Sequence, residues 1–146
     1  MRILNIYTAG AMSCYGEKAE FPKQWRKQVS DWIEDNTSCF VCVNPTDYYE
    51  YGTDYHKSER EIMSFDLRKV READILLVNL KDLDKSIGTC DEIFYAWTRK
   101  TPIIGFIEDE NSCENIHPWK IEQIDRIETG EGAMFKALEY IKNYYS

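Results

Sequence analysis

The sequence predicts an α/β fold, a doubly wound, flavodoxin-like or Rossmann-like sheet of five parallel strands with helices on both faces. Apolar runs rich in β-branched and aromatic residues alternate with longer segments of helical period, which is the pattern of a parallel sheet joined by crossover helices. The chain has 146 residues, of which 43% are hydrophobic, enough for one buried core. We therefore expect residues 1–146 to form one domain.

Five runs have the composition of strands, because they are short, apolar and bounded by turn residues. They are Ile3–Thr8, Cys39–Val43, Ile75–Leu80, Pro102–Ile107 and a short run at Asp125–Glu128.

Four helices are predicted between and after these strands. The first begins near Pro22, since proline suits the first helical position. The second begins at Ser58, which forms a capping-box pattern with Glu61, and runs to about Glu72. The last two are expected at Gly88–Arg99 and Glu131–Tyr144.

The charge balance narrows the possible partners. The chain has 26 acidic and 18 basic residues, a net charge of −8, and no run of Lys or Arg longer than two. Nucleic acids and anionic membranes are bound through concentrated positive charge, so we expect neither as a partner. No apolar run approaches the ~20 residues that span a bilayer, and the expected location is the cytoplasm. A small molecule is the expected ligand.

The cysteines and glycines do not predict a metal or a cofactor. The five cysteines are scattered, and the pair Cys39 and Cys42 lies in a strand-like run without a second pair, so we expect reduced, packed thiols. Neither a dinucleotide-binding G-x-G-x-x-G nor a P-loop is present.

Parallel sheets of this class bind ligands at the carboxyl ends of their strands, which places the site in the loops that follow them. Gly10 and Ala11 follow the first strand, where a glycine lets backbone approach a ligand. The tyrosine-rich segment 47–56 is either an aromatic lid over the ligand or a set of solvated side chains on the rim. His117 lies in a turn, and we assign it no chemical role.

Two acids interrupt apolar patterns. Asp66 lies between Ile62 and Val70 at helical spacing, so it is either functional or satisfied by water or a nearby arginine. Glu92 either forms a capping box with Thr89 or points over the carboxyl edge of the sheet. In the second case the first turn of the helix would favour its ionised form, which suits a nucleophile.

Three segments together resemble the nucleoside 2-deoxyribosyltransferase family, which also includes nucleoside 5′-monophosphate N-glycosidases. They are Ile6–Gly10, Asp66 followed by 73–79, and 86–92 with Ser86, Gly88, Thr89 and Glu92. The resemblance implies that Glu92 is the nucleophile at the anomeric carbon and that Asp66 assists the base or contacts the sugar. It also implies that Tyr7, at the end of the first strand, helps to place the nucleophile.

The resemblance further implies a nucleoside or nucleotide and a free nucleobase as ligands, no metal or cofactor, and a homo-oligomer. We expect the substrate to lie against Gly10, Ala11, Ser86, Gly88 and Thr89. The leading hypothesis is transfer of a 2′-deoxyribosyl group between bases.

Two alternatives remain at this point. Transferases commonly have an Asp at the position of Ser86, whereas a Ser there is similar to the 5′-monophosphate hydrolases. Those hydrolases usually have an Arg at the position of Ser13, which this chain lacks. The other alternative is a nucleotide-binding protein without turnover.

Overall fold

A computed structural model describes residues 2–16, 19–48, 56–109 and 115–146. Five strands form one parallel sheet in the order β2-β1-β3-β4-β5, the flavodoxin-like order, which confirms the predicted fold class. The strands are β1 (Leu4–Gly10), β2 (Phe40–Val43), β3 (Ile75–Asn79), β4 (Ile103–Ile107) and β5 (Arg126–Thr129). The helices are α1 (Phe21–Asn36), α2 (Glu59–Glu72), α3 (Ile87–Thr98), α4 (Pro118–Gln123) and α5 (Ala133–Tyr145).

Successive residues of a strand face opposite sides of a sheet, so each strand contributes to two cores. On one face α1 and α5 cover a core that includes Ile6, Val29 and Leu138. On the other face α2 and α3 cover a core that includes Tyr7 and Ile93. The helices therefore lie on both faces, as predicted, and Tyr7 faces α2 and α3.

Strand β1 continues to Gly10, whereas the sequence predicted an end at Thr8. Ala and Gly have low strand propensity, but β1 is a central strand and its ladder with β3 extends to the pair Gly10 and Asn79. The ladder with β2 ends earlier, at the pair Tyr7 and Val43. The last three residues of β1 thus extend beyond β2.

Helix α4 was not predicted. It has six residues, too few for a visible periodic pattern. Its N-cap is His117, whose side chain accepts a hydrogen bond from the Trp119 N–H at 3.1 Å, and Pro118 occupies the first helical position. This capping role is structural, and the sequence analysis assigned His117 no chemical role.

The described cysteines, Cys14, Cys39, Cys42 and Cys90, are all free thiols, and Cys113 lies outside the described residues. Among the residues that the structure describes, no three His, Cys, Asp or Glu side chains form a cluster that could hold a metal ion. None of the described helices has the length and apolarity needed to span a bilayer.

Gly10 is required by the packing of α1 on the end of β1. A Cβ atom at Gly10 would lie 2.8 Å from Cζ2 of Trp25, a rigid ring buried in the core. We predict that Gly10→Ala lowers the free energy of unfolding by about 1–3 kcal/mol, the usual cost of overpacking. Urea denaturation measures this loss.

Gly88→Ala is the matched control. A Cβ there would meet nothing within 4 Å, and the position is helical, so we expect unchanged or slightly increased stability. Equal stability of Gly10→Ala and the wild type would contradict the packing role.

Candidate active site

The candidate site is a cleft of about 420 Å³ at the carboxyl edge of the sheet. It lies between the segments that follow β1 and β3, where the strand order reverses and doubly wound sheets bind their ligands. Helix α2 forms the remaining wall. The residues that line the cleft are Gly10, Met12, Ser13, Glu59, Ile62, Met63, Asp66, Leu67, Lys85, Ser86, Ile87, Gly88, Thr89, Asp91 and Glu92.

Glu92 lies in the second turn of α3 and not in its first turn. The helix begins at Ile87, and its N-cap is Ser86, whose Oγ accepts a hydrogen bond from the Thr89 N–H at 3.3 Å. Ser86 also shares a hydrogen bond of 2.7 Å with the Thr89 hydroxyl. The capping box that the sequence allowed between Thr89 and Glu92 is therefore wrong, and Glu92 is available for other contacts.

The Glu92 carboxyl contacts the central strand. The Tyr7 hydroxyl donates a hydrogen bond to Oε2 of Glu92, and Tyr7 itself is completely buried. Burial, together with the negative charges of Glu92 and Asp66, raises the pKa of Tyr7 well above its usual value, so the phenol keeps its proton and acts as a donor. Tyr7 lies in the middle of β1, not at its end, and its backbone position is fixed by ladders on both sides.

Burial raises the pKa of Glu92 to about 8, and the nearby charge of Asp66 adds to the rise. The hydrogen bond from Tyr7 and the positive charge of Arg26 act in the opposite direction. The expectation that the first turn of the helix keeps this carboxyl ionised is wrong, because Glu92 lies in the second turn, where the dipole effect fades.

Asp66 lies on α2 and is half-buried at the same cleft. Its charge acts on Glu92 and on Tyr7, as the pKa shifts of both groups record. Arg68, an arginine close to Asp66 in the sequence, pairs with Glu72 at 3.2 Å. The two acids that interrupted apolar patterns in the sequence thus converge from separate helices on one cleft.

The five residues expected to contact substrate separate into two groups. Gly10, Ser86, Gly88 and Thr89 line the cleft, although the hydroxyls of Ser86 and Thr89 already bond to each other. Ala11 is buried and does not belong to the lining set. Its side chain therefore contributes to packing and not to the cleft wall.

Sequence reasoning missed several residues of the cleft, among them Met12, Glu59, Lys85, Ile87 and Asp91. Most are neighbours of residues that it did name, so proximity in sequence was the available signal. Glu59 comes from the start of α2 and carried no signal of its own, because only the packing of α2 on α3 brings it there.

A hydrogen bond joins the two loops that form the cleft mouth. The Tyr15 hydroxyl, in the segment after β1, donates to Oδ2 of Asp82, in the segment after β3, at 2.5 Å. Asp82 has a left-handed backbone conformation with φ of 56°. The bond limits the separation of the two loops.

Of the tyrosine-rich segment, only its two ends are described. The Tyr48 ring packs edge-on against Phe65 of α2 with 5.3 Å between centroids, and His56 contacts the same ring at 5.3 Å. Tyr49, Tyr51 and Tyr55 lie outside the described residues. The contacts of Tyr48 are those of a side chain that packs on the domain rim.

Comparison with known proteins gives a family and several similar structures. The model of the family described as nucleoside 2-deoxyribosyltransferase matches residues 6–143. No curated protein sequence matches the chain.

Among solved structures, a conserved protein from Enterococcus faecalis V583 has a TM-score of 0.77 at 15% identity, over 97% of this chain and 98% of that one. A 2-desoxiribosyltransferase from Leishmania mexicana has a TM-score of 0.69 at 15% identity, over 98% and 99% of the two chains. A 2-deoxyribosyltransferase from Bacillus psychrosaccharolyticus has a TM-score of 0.63 at 16% identity, over 84% of each chain.

Likeness at such low identity shows a shared fold. The family match is independent of it and covers nearly the whole chain, including Tyr7, Asp66 and Glu92. This chain belongs to the nucleoside 2-deoxyribosyltransferase family.

Proposed function

We propose that the protein cleaves the N-glycosidic bond of a 2′-deoxynucleoside and transfers the sugar to another nucleobase, through a covalent intermediate on Glu92. The observation that carries this proposal is the convergence of Glu92 and Asp66, from different helices, on one cleft with Glu92 bonded to Tyr7. Family membership supports the same class of chemistry.

In this proposal the two Glu92 oxygens have different tasks. Oε2 accepts the bond from Tyr7, which leaves Oε1 to attack the anomeric carbon. As the carbon–nitrogen bond breaks, its electron pair moves to the departing base, and the sugar acquires positive charge that an ionised carboxylate stabilises. A new ester joins the sugar to Glu92.

Asp66 is proposed to handle the proton of the base. In its acid form it donates a proton to the departing base, and the resulting carboxylate accepts a proton from the incoming base. The incoming base attacks the anomeric carbon from the face that the first base left, and Glu92 departs. Two displacements give net retention at this carbon.

The raised pKa of Glu92 fits a site that becomes active when substrate binds. Burial raises the pKa of Glu92 to about 8, so at neutral pH this carboxyl keeps its proton more readily than an exposed glutamate does. Glu92 releases its proton to solvent before it attacks, and the positive charge that then develops on the sugar stabilises the ionised carboxylate.

Hydrolysis of a nucleoside 5′-monophosphate is the second candidate. Lys85 lines the cleft beside Ser86 and the start of α3, and a lysine there adds positive charge suited to a phosphate. This lysine offers an alternative to the Arg that the sequence lacks at Ser13. A nucleotide-binding protein without turnover is the third candidate, and measured turnover would exclude it.

We predict that Glu92→Gln lowers kcat for base release from deoxyinosine by about 1,000-fold or more, because removal of a nucleophile eliminates the covalent route. Chromatographic assay of the hypoxanthine released in the presence of adenine as the acceptor measures the loss. Glu34→Gln, an exposed acid on α1, is the control and keeps full activity. Base release by Glu92→Gln at the wild-type rate would exclude the mechanism.

The stability of Glu92→Gln shows whether its fold is intact. Because the pKa of Glu92 is higher in the folded than in the unfolded protein, the folded state binds more protons between about pH 4.5 and 8. The contribution of Glu92 to the stability of the wild type therefore falls as pH rises through this window. Glu92→Gln lacks this loss, so its melting temperature should exceed that of the wild type increasingly as pH rises.

A substrate panel distinguishes transfer from hydrolysis. We predict that base release from deoxyinosine depends on added adenine and yields deoxyadenosine, because the glycosyl-enzyme is discharged by a base. Release from deoxynucleoside monophosphates without an acceptor would favour the second candidate. In that case Lys85→Met should raise KM for the monophosphate, while Lys136→Met, on the distant α5, should not.

Assembly into a homo-oligomer remains a prediction, supported by apolar side chains on the outer surfaces of α3 and α4. Phe94, Trp97 and Trp119 are exposed there by 49%, 50% and 76%. Large apolar patches on a soluble protein commonly mark interfaces. The same helix α3 carries Glu92, so an interface on it would lie next to the cleft.

We predict that Phe94→Glu lowers the sedimentation coefficient from that of an oligomer toward that of a monomer, because a charge would be buried in the interface. Phe135→Glu is the matched control, since Phe135 is similarly exposed but lies on α5, on the opposite face of the sheet. A wild-type protein that sediments as a monomer would contradict the predicted assembly.

A further inference from the structure

Arg26 is a buried charged side chain without a role in the proposed mechanism. It lies on α1, and only 1% of its surface is exposed. Within the part of the chain that the structure describes, no carboxylate lies within ion-pair distance of its guanidinium. Burial of a charge without an ion pair is costly, so such a group calls for an explanation.

Its hydrogen bonds all go to backbone carbonyls. Nη1 donates to Pro22 at 2.9 Å, Nη2 to Gly10 at 3.2 Å and Nε to Thr8 at 3.4 Å. The guanidinium also lies over the Trp25 ring, with Cζ 4.5 Å from the ring centroid. Neutral acceptors and a ring face hold the cation in place but leave its charge uncompensated.

The position of Arg26 follows from the unequal lengths of two strands. β2 ends opposite Tyr7, and β1 continues for three more residues without it. Arg26 bonds to the first and last of those residues, Thr8 and Gly10, where a longer β2 would lie. It therefore anchors the part of β1 that leads into the cleft.

Arg26 and the proposed nucleophile flank the same strand. Helix α1 covers one face of the sheet, whereas the Tyr7 side chain and α3 lie on the other. The carbonyl of Gly10 bonds to Arg26, and Gly10 lines the cleft together with Glu92. Little water separates the two groups, because the intervening residues Tyr7 and Ala9 are fully buried.

We propose that Arg26 is a positioning residue whose buried charge, fixed at the end of β1, stabilises the ionised, attacking form of Glu92. This inference rests on the proposed function, in which Glu92 is the nucleophile. In this proposal, the positive charge of Arg26 offsets the negative charge of Asp66 and of ionised Glu92 at the cleft.

The other charged and titratable groups around Glu92 do not replace Arg26. Tyr7 from β1 is neutral, and Asp66 and Glu59 from α2 and Asp91 from α3 are acidic. Lys85 lines the cleft, but its side chain is exposed and screened by water. Burial lowers the pKa of Arg26 to about 10, and the charge of Glu92 opposes this decrease, so Arg26 remains a cation at neutral pH.

The test replaces Arg26 with two neutral side chains and one cationic side chain. Arg26→Met is apolar, Arg26→Gln retains donors for a carbonyl, and Arg26→Lys keeps the charge. Gln can still donate a hydrogen bond to a carbonyl of Thr8 or Gly10, whereas Met cannot. The test therefore does not depend on the folding of one neutral variant alone. Lys27→Met, an adjacent exposed cation paired with Asp31, is the control.

The first measurement is a ¹³C NMR titration of the Glu92 carboxyl in each variant, assigned by comparison with Glu92→Gln. We expect both neutral variants to raise the midpoint by about one pH unit and the kcat/KM at pH 6.5 to fall about tenfold. Arg26→Lys and Lys27→Met should titrate close to the wild type. A purely structural role would lower stability and leave the midpoint unchanged, and that result would overturn the proposal.

The titration midpoint of Glu92 and the turnover of Glu92→Gln together distinguish failure of this proposal from failure of the proposed function. A raised midpoint in the neutral variants, combined with normal turnover by Glu92→Gln, would retain the influence of Arg26 on Glu92 and overturn its role in catalysis together with the proposed mechanism. An unchanged midpoint, combined with loss of turnover in Glu92→Gln, would retain the mechanism and remove Arg26 from it.

Discussion

The hydrogen bond between Tyr7 and Glu92 is the contact on which the rest of the site depends. Tyr7 lies in the middle of a central strand with a ladder on each side, so its hydroxyl has a fixed position. A carboxyl held by this hydroxyl cannot return to its own helix end, and one of its oxygens stays available. The rigid sheet thereby positions a group that a helix alone would leave mobile.

Charge at this cleft is balanced across the thickness of the sheet. Asp66 and Glu92 approach from one face, and the burial of Glu92 favours its protonated form. Arg26 approaches from the other face and is held by the end of β1. Because β2 is shorter than β1, a cation can bond to the end of β1, on the face of the sheet opposite Glu92. The unequal lengths of the two strands therefore affect the charge around Glu92.

The sequence predicted those elements whose residues repeat over many positions. The apolar faces of α1, α2 and α5 and the buried runs of β3 and β4 were visible because each pattern extends over a whole element. The end of β1 was not visible, since Ala9 and Gly10 resemble loop residues until β3 pairs with them. The start of α3 was predicted within one residue, at Gly88 and not Ile87. Its N-cap could not be predicted, because Ser86 and Thr89 are both good N-cap residues and the backbone beyond β3 determined which of them caps the helix.

By itself, the sequence determined the fold class and marked Asp66 and Glu92. An acidic residue within an apolar helical pattern can be recognised without knowing what the helix packs against. Resemblance to the family added Tyr7. The tertiary structure alone decided that Glu92 bonds to Tyr7 and is partly buried at the cleft, and that Arg26 bonds to the end of the same strand. The physical reason is that a pKa depends on burial and on charges distant in sequence. These are set when α1, α2 and α3 pack on β1, and no local pattern of residues records them.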